Sequence, residues 1–225
     1  MNRSNGWRAR FGRLLGGFGV AGGDSGALLQ TRYTVLDAEM TGLDPERDEL
    51  LAIGAYRMIG ARILVGERFY SLVRPEKDRW GPSVPIHGIR PVDVVAAPPA
   101  QVALPEFFAF IAGTVLVGHG VEIDRSFLRR TAERYGLPFP RGLWIDTGRV
   151  ARWLVTRHGT FAAASADRGR FGLEDLLAAY EIPCPARHHA LADAYATAQV
   201  WQRQLYELAE EGIQTIRDLR LAGLA

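Results

Sequence analysis

Three strand-like runs stand close together early in the chain: Tyr33 to Leu36, Glu49 to Met58 and Arg62 to Val73. The turn Ile59-Gly60-Ala61 separates the second from the third and predicts a hairpin. Downstream the apolar period lengthens. Leu104 to Ala112, Asp124 to Tyr135, Thr147 to Val155, Leu173 to Tyr180 and Ala190 to Glu211 read as helices, with Val115-Leu116-Val117 as a short buried strand among them. Strands first, then strands and helices mixed, predict an α/β fold: a central mixed sheet with helices packed on it. A chain of 225 residues, 48% hydrophobic and 23% charged, can bury one core of ordinary size but is cramped for two domains. Pro75 to Pro99 reads as surface loop with short helices, and Arg157 to Gly172 as a polar, mobile insertion.

The expected organisation has three parts: a basic tail and linker over 1–31, the main domain over 32–212, and a C-terminal helical extension over 213–225. In the tail, Trp7, Phe11, Leu14, Leu15 and Phe18 fall on one helical face flanked by Arg8, Arg10 and Arg13, and Gly19 to Gly26 reads as a flexible linker. Residues 1–32 hold five Arg against one Asp, or +4, which leaves 2 − 4 = −2 for the rest of a chain whose net charge is +2. Such a tail is expected to cover an apolar patch of its own domain or to mediate self-association or contact with a partner such as a polymerase. A slightly acidic body argues against a broad, charge-driven grip on nucleic acid, yet suits a carboxylate cluster that holds cations.

A lone cysteine, Cys184, excludes an intramolecular disulfide and a Cys-rich zinc site, and it suits a reducing compartment, so the expected location is cytoplasmic. No apolar run approaches the ~18 residues of a membrane span, so no integral membrane contact is expected.

The candidate chemistry begins at the end of the first strand. Residues two apart on a strand share a face, so Asp37 and Glu39 present two carboxylates side by side. Such a pair repels itself unless a cation lies between its members, and hard divalent ions favour oxygen ligands. Asp124 opens a helix directly after the buried strand Val115 to Val117, and His188 precedes Asp193 by five residues where another helix begins. Singly, Asp-x-Glu can be a solvated turn, Asp124 a helix N-terminal carboxylate and Asp193 an exposed helix residue.

In order along the chain, Asp-x-Glu, an Asp after a strand, and His-x4-Asp resemble the DEDDh 3′–5′ exonucleases, the ribonuclease-H-like group that includes the proofreading epsilon subunit of bacterial DNA polymerase III, ribonuclease T and oligoribonuclease. The resemblance runs from Tyr33 to about Tyr206, with supporting stretches at Glu49 to Ala55, Ile86-His87-Gly88-Ile89, Asp146-Thr147, Gly172 to Leu176 and Tyr180 to Pro183. It implies a twisted five-stranded mixed sheet flanked by helices. It also implies two divalent cations, Mg2+ or Mn2+, held by Asp37, Glu39, Asp124 and Asp193.

By the same resemblance His188 is the general base, and the backbone around Thr41 and Gly42, with Leu43 alongside, clamps the terminal nucleotide, the Leu43 side chain stacking against the last base. An imidazole of pKa near ~6.5 can accept a proton from the attacking water near neutral pH. His189 is expected at the surface, His87 in a structural role, and Asp146 as a helix cap or a support for the metal ligands. His119 and His158 have no assigned role. Two departures stand out: Ala38 replaces the Thr or Leu of relatives, and Gly120 stands where many carry Asn.

The expected activity is release of nucleoside monophosphates from the 3′ ends of single-stranded nucleic acid, DNA before RNA. The alternatives are an oligoribonuclease-like enzyme acting on very short RNA and a polymerase-associated interaction module whose nuclease activity is secondary or lost.

Overall fold

The computed structural model describes residues 26–77, 80, 84–158 and 171–225. The amphipathic stretch Trp7 to Phe18, the linker as far as residue 25 and residues 159–170 of the expected insertion lie outside the described residues. Five strands make one sheet: β1 (Arg32–Met40), β2 (Leu50–Ile59), β3 (Arg62–Leu72), β4 (Val115–Gly118) and β5 (Trp144–Asp146), in the order β3-β2-β1-β4-β5. Neighbours β1–β2 and β2–β3 are antiparallel, and β1–β4 and β4–β5 are parallel, so the sheet is mixed as expected. The helices are α1 (Val84–His87), α2 (Pro91–Val94), α3 (Ala100–Ile111), α4 (Glu122–Arg134), α5 (Thr147–His158), α6 (Leu173–Ala179), α7 (Ala190–Glu210) and α8 (Ile216–Leu221). Among the described residues no helix is long and apolar enough to cross a membrane.

The sheet separates two apolar layers, and β1 feeds both because its side chains alternate. Leu36, Ala38 and Met40 face Leu104, Phe107 and Phe108 of α3 and Phe127 and Leu128 of α4. Tyr33 and Val35 face the other layer, built from Trp201, Leu205 and Leu208 of α7 with Val150 and Leu154 of α5. Tyr33 and Trp201 meet edge to face, ring centroids 5.5 Å apart.

The C-terminal segment joins this second layer. Ile216, Leu219 and Leu224 are buried in it, and Leu28 N–H donates to the Gln214 carbonyl at 2.8 Å. Residues 213–225 thus pack on the same core as the sheet.

Strand β1 runs four residues beyond the Leu36 where the apolar run ends, carrying the two acids inside regular sheet. Strand β5 escapes a reading by pattern because it has three residues, too few to display alternation. Helix α3 starts at Ala100, earlier than Leu104, and continues through Pro105. One glycine decides how the helices approach the sheet. A Cβ on Gly54 would lie 2.4 Å from the backbone of Ala190 and Leu191, so its hydrogen lets the first turn of α7 rest directly on β2. Gly54 pairs with Asp37 across β1–β2, and the close approach therefore carries the start of α7 to the acid end of β1.

Candidate active site

Along β1 the face that begins with Tyr33 and Val35 ends with Asp37 and Glu39, both half-buried. Helix α7 packs on that face and brings Asp193, in its first turn, against them. Carboxylate oxygens of Asp37, Glu39 and Asp193 all lie within 4.8 Å of one another. Asp124 lies outside that tight set of three but is buried at the start of α4, and its Oδ1 accepts the Ala38 N–H at 2.9 Å, on the strand between the two acids. Ala38 thus contributes its backbone here, which any residue type at position 38 supplies.

This crowding shifts the acids away from their ordinary behaviour. Burial first, then the charges of Asp124, Glu39 and Asp193, hold Asp37 well above the usual carboxylate range. Burial and then Asp193 push Glu39 up to about 7. Burial raises Asp124 to about 8 although the Ala38 N–H favours its charged form. Acids that cannot all ionise at neutral pH have too little countercharge around them, and a divalent cation with oxygen preference supplies the rest. The donor set therefore fits such ions.

The structure brings His188 to the same place. Its backbone occupies the left-handed region, φ +61°, and its N–H donates to Asp193 Oδ2 at 3.0 Å, tying the residue to the first turn of α7. His189 is exposed, as expected, and its ring stacks on Tyr70 of β3 with centroids 5.1 Å apart.

His87 has a structural contact, as expected. Its Nδ1 accepts the Ile89 N–H at 3.0 Å. It is close enough to His188 for the two charges to oppose, and burial is the main cause that lowers its pKa.

Among the expected substrate-clamp residues, only Leu43 is free to meet a base, at 79% exposure. Thr41 is buried, and its Oγ1 accepts the Glu49 N–H at 3.0 Å, so its side chain shapes the loop. Gly42 passes so close to Asp48 that a Cβ would fall 2.3 Å from the Asp48 carboxylate. Asp146 holds two backbone N–H groups, Val121 at 3.0 Å and Arg149 at 3.0 Å, linking the end of β4 to the start of α5. His119 Nδ1 lies 2.9 Å from Thr147 Oγ1 in the same support. Gly120 has φ +63°, a backbone state that glycine and asparagine tolerate best, which gives a conformational reason for either residue there.

Two residues have roles that the sequence did not signal. Arg187 places Nη1 in an ion pair with Asp193 and Nε 3.9 Å from Glu174. Glu49, buried, accepts Arg134 Nη1 at 2.6 Å and the Glu76 N–H at 2.6 Å, fastening the exit of β3 to α4. Both depend on how long side chains meet across the fold, which local spacing does not encode.

The model of the RNase_T family, described as Exonuclease, matches residues 34–201. The chain is 34% identical over 200 residues to a DNA polymerase III subunit epsilon-like protein of Rhodobacter capsulatus, covering 86% of this chain and 27% of that protein. To a PolC-type DNA polymerase III of Caldanaerobacter subterraneus subsp. tengcongensis it is 30% identical over 203 residues, covering 90% of this chain and 14% of the polymerase. The chain thus spans about a quarter or less of these two relatives. Among solved structures, E. coli Exonuclease I in complex with a dT13 oligonucleotide has the same fold, with a TM-score of 0.70 at 19% identity over 81% of this chain and 43% of that one.

Proposed function

The chain belongs to the RNase_T exonuclease family, DEDDh-type enzymes of ribonuclease-H-like fold, and from that premise we propose that it removes nucleoside monophosphates from the 3′ ends of single-stranded DNA. The observation that carries this reading is the convergence of Asp37, Glu39 and Asp193 within 4.8 Å, with Asp124 anchored on the intervening Ala38 N–H.

Two divalent cations, Mg2+ or Mn2+, held by Asp37, Glu39, Asp124 and Asp193, would supply the charge that acidifies water and steadies the leaving 3′ oxygen. His188 accepts the proton of the attacking water. Its bond to Asp193 through the backbone leaves the imidazole available for that purpose. Leu43 stacks on the terminal base, a contact that tolerates any base because each has a π face. A preference for DNA draws support from the fold shared with Exonuclease I, whose complex holds a dT13 oligonucleotide.

The test uses 5′-labelled single-stranded DNA, the same strand paired with a terminal mismatch, and RNA of two to five nucleotides, each with Mg2+ and with chelator. The expected result is a ladder shortened from the 3′ end, fastest on single-stranded DNA and absent with chelator. The His188→Ala variant should be slower by on the order of 10^2 to 10^4. Faster turnover of the short RNA would replace the DNA reading with the oligoribonuclease one.

A further inference from the structure

The acid cluster is not without a cation. Arg187, in the loop that precedes α7, pairs its Nη1 with Asp193 Oδ1. Both Nη1 and Nε are buried and make no hydrogen bond of good geometry, so the contact is one of charge rather than of shape. Among the groups that act on Asp37 and Glu39, Arg187 is the one that favours their ionised forms.

The two oxygens of Asp193 are both engaged. Oδ2 accepts the His188 N–H at 3.0 Å, and Oδ1 faces the guanidinium. A divalent ion that takes Asp193 as a ligand therefore either competes with Arg187 for Oδ1 or binds the second lone pair of Oδ2 with the guanidinium close beside it. Two cations cannot share that carboxylate at contact distance without strong repulsion. Arg187 also has an alternative partner, since its Nε lies 3.9 Å from Oε1 of Glu174, an exposed residue of α6 outside the cluster.

We propose that Arg187 is a tethered counter-ion: it holds Asp193 while metal is absent and gives way when divalent cations bind, so that it sets the metal affinity of the site. The inference rests on the reading that these acids hold divalent ions. Its consequence is that the metal-free enzyme keeps its acids in place without collapsing or splaying, at the cost of weaker metal binding. Arg187 acts through Asp193 and is a positioning residue.

Mn2+ binding to the full-length protein, followed by the electron paramagnetic resonance of free Mn2+, separates the possibilities. Arg187→Gln should bind Mn2+ on the order of tenfold more tightly than wild type, because the competing charge is gone. Its metal-free form should melt lower, and Arg187→Lys should stay near wild type in both respects. Equal or weaker Mn2+ binding by Arg187→Gln overturns the proposal.

A second measurement does not depend on that variant folding. The Arg187 Nε–H resonance of 15N-labelled wild type, identified by its loss in Arg187→Lys, should shift as Mg2+ is added; a resonance that stays fixed while Mg2+ saturates the site overturns the proposal as well. Should wild type and Arg187→Lys bind no Mn2+ at all, the metal reading itself falls and this inference with it. Loss of Mn2+ binding in Asp37→Asn but not in Arg187→Gln keeps the two failures apart.

Discussion

The seam between β1 and α7 has two ends built to opposite purposes. At one, Tyr33 and Trp201 are fully buried and meet edge to face at 5.5 Å. At the other, Asp37, Glu39 and Asp193 crowd their carboxylates within 4.8 Å. The ends are mechanically linked. Eight helical residues separate Asp193 from Trp201, about 12 Å of axis, and four strand residues separate Tyr33 from Asp37, about 13 Å. The rises match, so seating the tryptophan on the tyrosine delivers the acid to the acids. Apolar burial at one end thus offsets charge repulsion at the other, and the chemistry needs no stability of its own.

Breaking the charged end should have the largest effect on activity. Asp193→Ala or Asp37→Asn is expected to reduce turnover to background, because each removes a metal-holding carboxylate from a scheme that depends on all of them. Asp37→Asn also relieves repulsion, so without metal its melting temperature should stay level or rise, whereas Asp193→Ala strips Arg187 of its partner and should melt lower. Turnover with Mg2+ and thermal unfolding in chelator measure the two sides. A fully active Asp193→Ala protein would falsify the site.

Breaking the apolar end should do the reverse. Trp201→Ala removes the largest fully buried side chain among the described residues and should cost about 3 to 5 kcal/mol of folding stability. Urea unfolding in chelator measures it. The surviving folded fraction should keep the ability to hydrolyse substrate at low temperature, since no carboxylate has been altered. A loss below about 1 kcal/mol would mean that this contact does not hold the apolar end together.

The same contrast explains how much could be read beforehand. The hairpin of β2 and β3, the helices α4 to α7 and the apolar ends of β1 and α7 were legible because periodic burial writes itself into the sequence. Asp37, Glu39, Asp124, His188 and Asp193 were legible only as a set, through the resemblance of their order along the chain to the DEDDh exonucleases, since each taken singly had an ordinary structural reading. Strand β5 was not, since three residues carry no period; its place follows from pairing with β4. Arg187 was not, because its meaning lies in where a long side chain lands. Nor was the bond of the Thr41 hydroxyl to the Glu49 N–H, which spans eight residues and shapes the loop around the expected backbone clamp.

The smallest expected effect lies in how the two ends respond to pH. With Glu39 raised to about 7, Asp124 to about 8 and Asp37 raised as well, the folded protein keeps protons that the unfolded chain has released. Such groups contribute stability that is fully present below the unfolded carboxylate pKa of about 4 and is lost as pH rises through the folded values. Without metal, the charged end should therefore weaken the fold progressively from about pH 4 to pH 8. His87 and His119 act in the opposite sense: their lowered pKa values make the unfolded chain bind protons more readily, so their share of stability is regained as pH rises through about 6.5. The measurement must therefore be a difference. Melting temperatures in chelator at pH 5 and pH 8 should fall further for wild type than for the double variant Asp37→Asn, Glu39→Gln, which keeps both histidines. Adding Mg2+ should restore more stability at pH 8 than at pH 5, because protons and metal compete for the same oxygens. Parallel curves for wild type and double variant would show that the acid end carries no uncompensated charge.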